Sequence, residues 1–316
     1  MAGGDIAVLI PTLRRLDSLE RALRSVFAQV AVEGRLAEVV VIDNDPEASA
    51  RRTVEVLARD CPVPLIYVHE PKPGVATARN AGLRATSAPL IAFLDDDEQA
   101  TAAWLISLVE TLETNQADAV FGPIVGKAPD APAPLRPWLE RFFSREGPLR
   151  SGPIDHGYGC GNSLVRRESV LIGPAPFDTG HDQIGGEDDV LFAGLKARGG
   201  RFAWAADALV SEHAPAHRAT LAYGLRRGFA YGQSPCQSAA RERRWLSVGK
   251  WMVIGAGQAV VYGLGAAAQW VLGAPEAYDT LDRATRGLGK LFWTRGFEPK
   301  VYGQAEIARL GARAGS

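Results

Sequence analysis

Little in this chain can crosslink it or hold a soft metal. Its 316 residues include three cysteines, Cys61, Cys160 and Cys236, too few, odd in number and too widely spaced for a disulfide framework or a CxxC metal site. A reducing compartment is the simpler expectation. The N-terminal stretch lacks a basic head joined to an apolar run of secretory length, so it reads as the approach to a first strand and not as a leader. No glycine-rich basic loop follows that strand, and the usual cradle for a triphosphate is therefore missing. Internal repeats, low-complexity tracts and recognisable nucleic-acid motifs are absent too. With 47% hydrophobic and 22% charged residues the chain is globular and not disordered.

The formal net charge of −1 conceals an asymmetry. Residues 1–216 carry 21 basic and 30 acidic side chains, whereas residues 217–316 carry 14 and 6. Such a split predicts two surfaces with different partners, and a basic excess confined to the last third argues against nucleic acid as one of them. Short runs rich in Val, Ile and Leu, at residues 6–10, 38–42, 65–69, 90–94 and 119–121, alternate with helical patterns at 16–30 and 48–59. This is how a mostly parallel sheet covered by helices reads, with a ligand crevice at the carboxyl ends of the strands. Residues 122–153 hold seven prolines and predict an irregular excursion with one short helix around 138–143. A helix over 188–198 and a strand over 202–210 follow, and the remainder from about residue 218 reads as helical.

Two acidic clusters stand out. Residues 93–98, FLDDDE, place four carboxylates directly after a buried strand, where like charges raise one another's pKa or require a cation. Oxygen ligands of this kind suit Mg²⁺ or Mn²⁺; a solvated acidic loop is the alternative from composition alone. Residues 184–192, IGGEDDVLF, put three acids in the first turn of a helix behind two glycines, where the helix dipole favours negative charge.

Four segments in order, residues 8–14 (VLIPTLR), 39–45 (VVVIDND), 74–82 (GVATARNAG) and 93–98 (FLDDDE), resemble those of family 2 glycosyltransferases, inverting nucleotide-sugar enzymes of the GT-A fold. The resemblance covers about the first 215 residues. It implies an α/β architecture with a mixed, mostly parallel sheet flanked by helices and a helical C-terminal extension. The division it implies is a catalytic domain over 1–217, with a nucleotide-binding half to 121 and an acceptor and base half from 122, and a basic helical region over 218–316.

The same resemblance implies roles for particular residues. Pro11, Thr12, Arg14, Asp43, Arg79, Asn80, Asp95 and Asp96 are expected to contact the nucleotide, with Arg79 and Asn80 opening a helix whose N-terminus could face phosphate. Asp97 and His213 are expected to hold Mn²⁺ or Mg²⁺, His217 being the competing imidazole. Asp188 is expected to be the catalytic base, with Glu187 as the alternative or as a group that positions the acceptor. Gly161, Asn162 and Trp138 are expected at the donor sugar or acceptor. In an inverting transfer the base would deprotonate the acceptor hydroxyl while the cation offsets charge building on the diphosphate. Two other readings stay open at this point: a nucleotidyltransferase on a similar sheet, and a non-catalytic membrane-associated binder of sugar nucleotides.

Residues 251–273 contain no charge, and at about 1.5 Å per residue they could just cross a hydrocarbon core. Glycine, alanine and two glutamines dilute the run, while tryptophans at both ends and nearby arginines suit anchoring at headgroups. A peripheral or monotopic association with the cytoplasmic face of a membrane is expected, the partners being a nucleotide-sugar donor and a glycan or lipid-linked acceptor. A soluble helical hairpin, packed on the protein or building a homo-oligomer through these helices, is the other arrangement.

Overall fold

The computed structural model describes residues 4–300, 302–304 and 306–308. Its first part runs β1 (Ile6–Thr12), α1 (Leu16–Phe27), β2 (Leu36–Asp43), α2 (Arg51–Leu57), β3 (Leu65–His69), α3 (Val75–Arg84), β4 (Leu90–Phe93), β5 (Glu98–Ala100), α4 (Trp104–Thr114), β6 (Ala119–Phe121) and β7 (Ile124–Lys127). There follow α5 (Arg136–Phe143), β8 (Gly152–Ile154), β9 (Ser163–Arg166), α6 (Arg167–Val170), α7 (Glu187–Ala197), β10 (Phe202–Trp204) and β11 (Val210–His213). The chain then turns helical, with α8 (Leu221–Arg241), α9 (Trp245–Val271) and α10 (Ala277–Leu291).

Among the described residues, eight strands form one sheet in the order β3-β2-β1-β4-β9-β6-β10-β8. The pairs β1/β2, β1/β4, β2/β3 and β6/β10 are parallel, while β9 runs antiparallel to β4 and β6, and β8 antiparallel to β10. The mixed, mostly parallel α/β sheet with a helical C-terminal region is thus the one expected. Alternation along β1 explains why both faces are dry: Ile6, Val8 and Ile10 join Leu19, Leu23, Val26, Trp104 and Leu108 on one side, and Ala7 and Leu9 join Ala78, Ala81 and Phe93 on the other. Helix α1 buries Leu19, Leu23 and Val26 at one-turn and two-turn spacing. Strand order reverses between β1 and β4, with β2 and β3 on one side and β9 on the other, so the ends of β1 and β4 frame the crevice.

One expected element differs. The strand read at 202–210 is two strands, because Phe202–Trp204 pairs with β6 in the large sheet whereas Val210–Glu212 pairs antiparallel with β5. A tight turn closed by Ala208 N–H to Ala205 O at 3.1 Å lets the chain change sheets. That change carries His213 to the turn after β4.

The chain forms two compact units. The first holds residues 4–125 and 144–213 with the described residues after 301; the second holds residues 126–143 and 214–300. Compared with the expected division at 217/218, helix α5 and its approach go with the helical unit. There Trp138 and Leu139 are buried among Ala128, Ala131, Leu135, Ala214 and Ala219. Helix α8 starts at Thr220, whose hydroxyl caps the Tyr223 N–H at 3.2 Å.

Candidate active site

The first acidic cluster forms where β4 leaves the sheet. Glu98 folds back so that its carboxylate accepts from the Asp95 N–H at 2.9 Å, and its own N–H donates to the Asp95 carbonyl at 3.0 Å. Glu98 is therefore a brace for the turn; burial, then the neighbouring Asp95, push its pKa well above the usual carboxylate range. Asp96 turns inward and accepts from the Thr12 hydroxyl at 2.7 Å, tying the end of β1 to this turn. Burial pushes Asp96 up to about 7 against the opposing pull of Arg15, with Asp97 adding to the rise. Arg15 pairs with Asp96 at 3.1 Å and also with Asp97. The counter-ion that four adjacent carboxylates require is thus supplied in part by the chain itself.

The second cluster begins α7. Gly185 and Gly186 adopt left-handed φ values of 80° and 87°, which a side chain would disfavour, and this bend turns Glu187 inward. Glu187 is buried and pairs with Arg79, which also reaches Asp95 at 3.3 Å. Burial and the adjacent Asp188 push Glu187 up to about 7, while Arg79 pulls it back. Asp188, partly exposed, accepts from the Cys160 N–H at 3.1 Å and from the Asp189 N–H at 2.9 Å.

The two clusters meet across residues 159–161. A Cβ on Gly159 would lie 3.0 Å from Asp188 Oδ2, and one on Gly161 would lie 2.8 Å from Asp95 Oδ2 and 2.9 Å from Glu98 Oε1. The strand of backbone between the two sets of carboxylates must therefore be bare. Arg145 stands behind it, donating to the Gly161 carbonyl at 2.6 Å and to the Asn162 carbonyl at 3.4 Å. No motif flagged Arg15 or Arg145; a single arginine in a proline-rich excursion carries no signal in sequence.

Several expected contact residues are committed to the scaffold. Asn162 is fully buried, its amide donating to the carbonyls of Pro123 and Ala208 at 2.8 Å each and accepting from Trp104 Nε1 at 2.7 Å. Both amide hydrogens and the carbonyl are in use, so it shapes the loop instead of facing a sugar. Asn80 exchanges bonds with the backbone of Phe177 at 2.8 and 3.1 Å. Helix α3 begins at Val75, so Arg79 and Asn80 lie a turn inside it and not at its N-terminus as expected. Asp43 is fully buried and accepts from the Ala50 N–H at 2.7 Å, the Tyr67 hydroxyl at 2.9 Å and the Asp45 N–H at 3.2 Å. Three of the roughly four acceptor positions of the carboxylate are thus in use, and one on Oδ1 is left for a nucleotide contact. Trp138 packs in the core of the second unit against Phe142 and Tyr278, with Gly224 allowing its approach.

Other expected residues stay near the crevice. Pro11 and Thr12 pair with Ile42 and Asp43 in the sheet, and Arg14, at a left-handed φ of 55°, is held by Asp45 and Glu47 at 3.0 Å each. Asp95 has 40% of its side chain exposed, the most open carboxylate of its cluster to be seen beside Asp96 and Asp97. His213 donates its backbone N–H to the Asp97 carbonyl at 2.8 Å, which makes the two residues neighbours.

The family model for "Glycosyl transferase family 2" matches residues 7–171, more than half of the chain. The chain belongs to glycosyl transferase family 2. It is a glycosyltransferase, and the nucleotidyltransferase and non-catalytic readings fall away. It is 37% identical to the succinoglycan biosynthesis protein ExoM of Rhizobium meliloti over 232 residues, 72% of this chain and 73% of that one. It is 27% identical to the pre-mycofactocin glycosyltransferase of Mycobacterium tuberculosis over 242 residues, 75% of this chain but 48% of the relative. Residues 1–349 of S. aureus TarS share the fold, with a TM-score of 0.55, 14% identity and 92% of each chain covered.

Proposed function

We propose that this glycosyltransferase inverts the anomeric centre as it moves a sugar from a nucleoside diphosphate, UDP first among the candidates, to a hydroxyl of a glycan or lipid-linked acceptor. The observation that carries the reading is the meeting of the two carboxylate clusters across Gly159 and Gly161, with Asp188 partly exposed while Glu187 is buried against Arg79. Asp188 takes the proton of the acceptor hydroxyl. Glu187 holds Arg79, and Arg79 holds Asp95 at the donor side. The N–H groups of Cys160 and Asp189 fix the orientation of the Asp188 carboxylate.

Metal dependence rests on the fit of the residues. Asp97 and His213 are joined through their backbones, and carboxylate with imidazole is a donor set that Mn²⁺ or Mg²⁺ accepts. Among the described residues no three His, Cys, Asp or Glu side chains are grouped to hold a metal ion by themselves. The residues fit a cation that takes its remaining ligands from diphosphate and water, and such an ion would offset charge on the leaving diphosphate. Pro11, Thr12 and Arg14 border the crevice where the nucleotide would lie. ExoM carries the name of a polysaccharide-building protein, and this supports a glycan acceptor. The long apolar helix α9 supports association with a membrane.

The test is a thermal-shift panel of UDP, GDP, CDP and dTDP with and without Mn²⁺. One diphosphate is expected to raise the melting temperature strongly and only with the cation, and Asp97→Ala should abolish that rise. If no diphosphate stabilises the protein, this reading is lost.

A further inference from the structure

Helix α9 carries an apolar face that the second unit leaves uncovered. Val253, Val260, Val261, Leu264, Val271 and Leu272 are between 61% and 87% exposed, and their spacing puts them along one side of the helix. From Val253 to Val271 the face is about 27 Å long at 1.5 Å per residue, and no charge interrupts it. Exposed apolar area of this extent marks a contact surface.

The opposite side of α9 lies against α10 over the same stretch. A Cβ on Gly255 would fall 2.7 Å from the Gly287 carbonyl oxygen, one on Gly287 2.7 Å from the Ala259 nitrogen, and one on Gly265 3.4 Å from Thr280. Farther along, the rings of Trp270 and Tyr278 meet at 5.4 Å, and Arg283 sits 5.7 Å over the Tyr262 ring. Helix α10 is charged: Asp282 pairs with Arg286 at 2.7 Å, and Arg283 and Lys290 lie on the same helix. If α9 crossed the bilayer, these four groups would be drawn into hydrocarbon beside it, and such side chains are the costliest to place there.

We propose that α9 lies in the plane of an anionic membrane surface, its exposed face sunk to the level of the acyl chains and its α10 side kept in water. The proposal rests on the membrane reading above and deepens it. Arg243 and Lys250, both exposed at the start of α9, supply the positive charge that an anionic leaflet attracts, Arg244 between them being paired with Glu242 at 2.6 Å, and the exposed rings of Trp245 and Trp270 sit near the two ends, as headgroup anchors do. These cations and tryptophans at the border of the apolar face favour lipid over a second copy of the chain.

The full chain is tested by flotation with vesicles of phosphatidylcholine and phosphatidylglycerol, and of phosphatidylcholine alone. Binding to the mixed vesicles is expected to exceed binding to the neutral ones, and Val260→Glu with Leu264→Glu should weaken it by at least about tenfold. Circular dichroism melts of that exposed-site variant should match the parent. In a Cys61→Ser background, nitrobenzoxadiazole attached at Gly249→Cys or at Leu272→Cys should be bleached by dithionite added outside the vesicles at both positions. Protection of one position with retained binding would overturn the in-plane arrangement and leave the membrane reading standing. Absence of vesicle binding would overturn both. A parent dimer that the glutamate variant turns into monomers would give the face to a second copy and also end the proposal.

Discussion

The backbone N–H of His213 donates to the carbonyl oxygen of Asp97 at 2.8 Å, stitching the end of β11 to the turn that follows β4. The bond uses no side chain, so it survives substitution of either residue, and loss of a ligand can be separated from loss of the fold. His213→Ala is expected to melt near the parent temperature yet to weaken the Mn²⁺-dependent nucleotide shift by at least about tenfold in apparent affinity. His217→Ala should leave the shift intact. The reverse pattern in the same thermal titration would move the imidazole ligand to His217.

Asp188 and Glu187 are adjacent in sequence but differ in surroundings, and the difference separates their variants. Asp188→Asn keeps an oxygen that can accept from the Cys160 N–H, so the protein should fold and bind donor while turnover falls by about a hundred- to ten-thousand-fold. Glu187→Gln leaves buried Arg79 with Asp95 as its remaining charged partner, a loss felt above about pH 7, where Glu187 itself is charged. That variant should show first as a lower melting temperature. Should Asp188→Asn turn over normally while a folded Glu187→Gln does not, the base is Glu187.

Stability of the cation-free protein should fall as pH rises. Asp96 and Glu187 are raised from ordinary values of 3.8 and 4.5 to about 7, so the folded state holds protons that the unfolded chain has already released. Their contribution is whole below the unfolded values and is lost as pH climbs through about 7. Melting temperatures measured in chelator should decline over that window, and Asp96→Asn should flatten part of the decline. Saturating Mn²⁺ with nucleotide favours the charged carboxylates and should shallow or reverse the slope. A flat profile in chelator would mean that these carboxyls are not held protonated by burial.

The parts of this arrangement that sequence revealed were those written in local pattern. Strands β1 and β4 lie close to their expected positions because a strand dry on both faces needs an uninterrupted apolar run, and the DDDE and GGEDD clusters stood out because carboxylates beside such runs are costly. What sequence left hidden depends on distance along the chain. Asn80 sits in a matched segment and Asn162 is expected at the donor sugar or acceptor, yet their amides close on Phe177 and on Pro123 and Ala208, partners 39 to 97 residues away. The split of the strand at 202–210 came from pairing with β5, about a hundred residues earlier, which no local run announces. Arg15 lies one residue beyond a matched segment, and no local pattern marks it as a partner of Asp96 and Asp97.

Arg145 is the clearest case of a residue visible only in three dimensions, and it yields the last prediction. Burial pulls its pKa below the usual guanidinium value, while Glu98, Asp188, Asp95 and Glu212 pull the other way, so one cation serves acids from both clusters. Its planar fork also holds the Gly161 carbonyl at 2.6 Å, the backbone that separates Asp95 from Asp188. Arg145→Met removes charge and both carbonyl bonds, and it should destabilise the fold by about 3 kcal/mol or more, as loss of a buried partner does. Arg145→Lys restores charge without the fork. It should recover much of the melting temperature but leave turnover reduced, because the fork that holds the Gly161 and Asn162 carbonyls is gone. Equal recovery of stability and of turnover by lysine would reduce Arg145 to a charge in the core; recovery of stability alone would tie its geometry to the base.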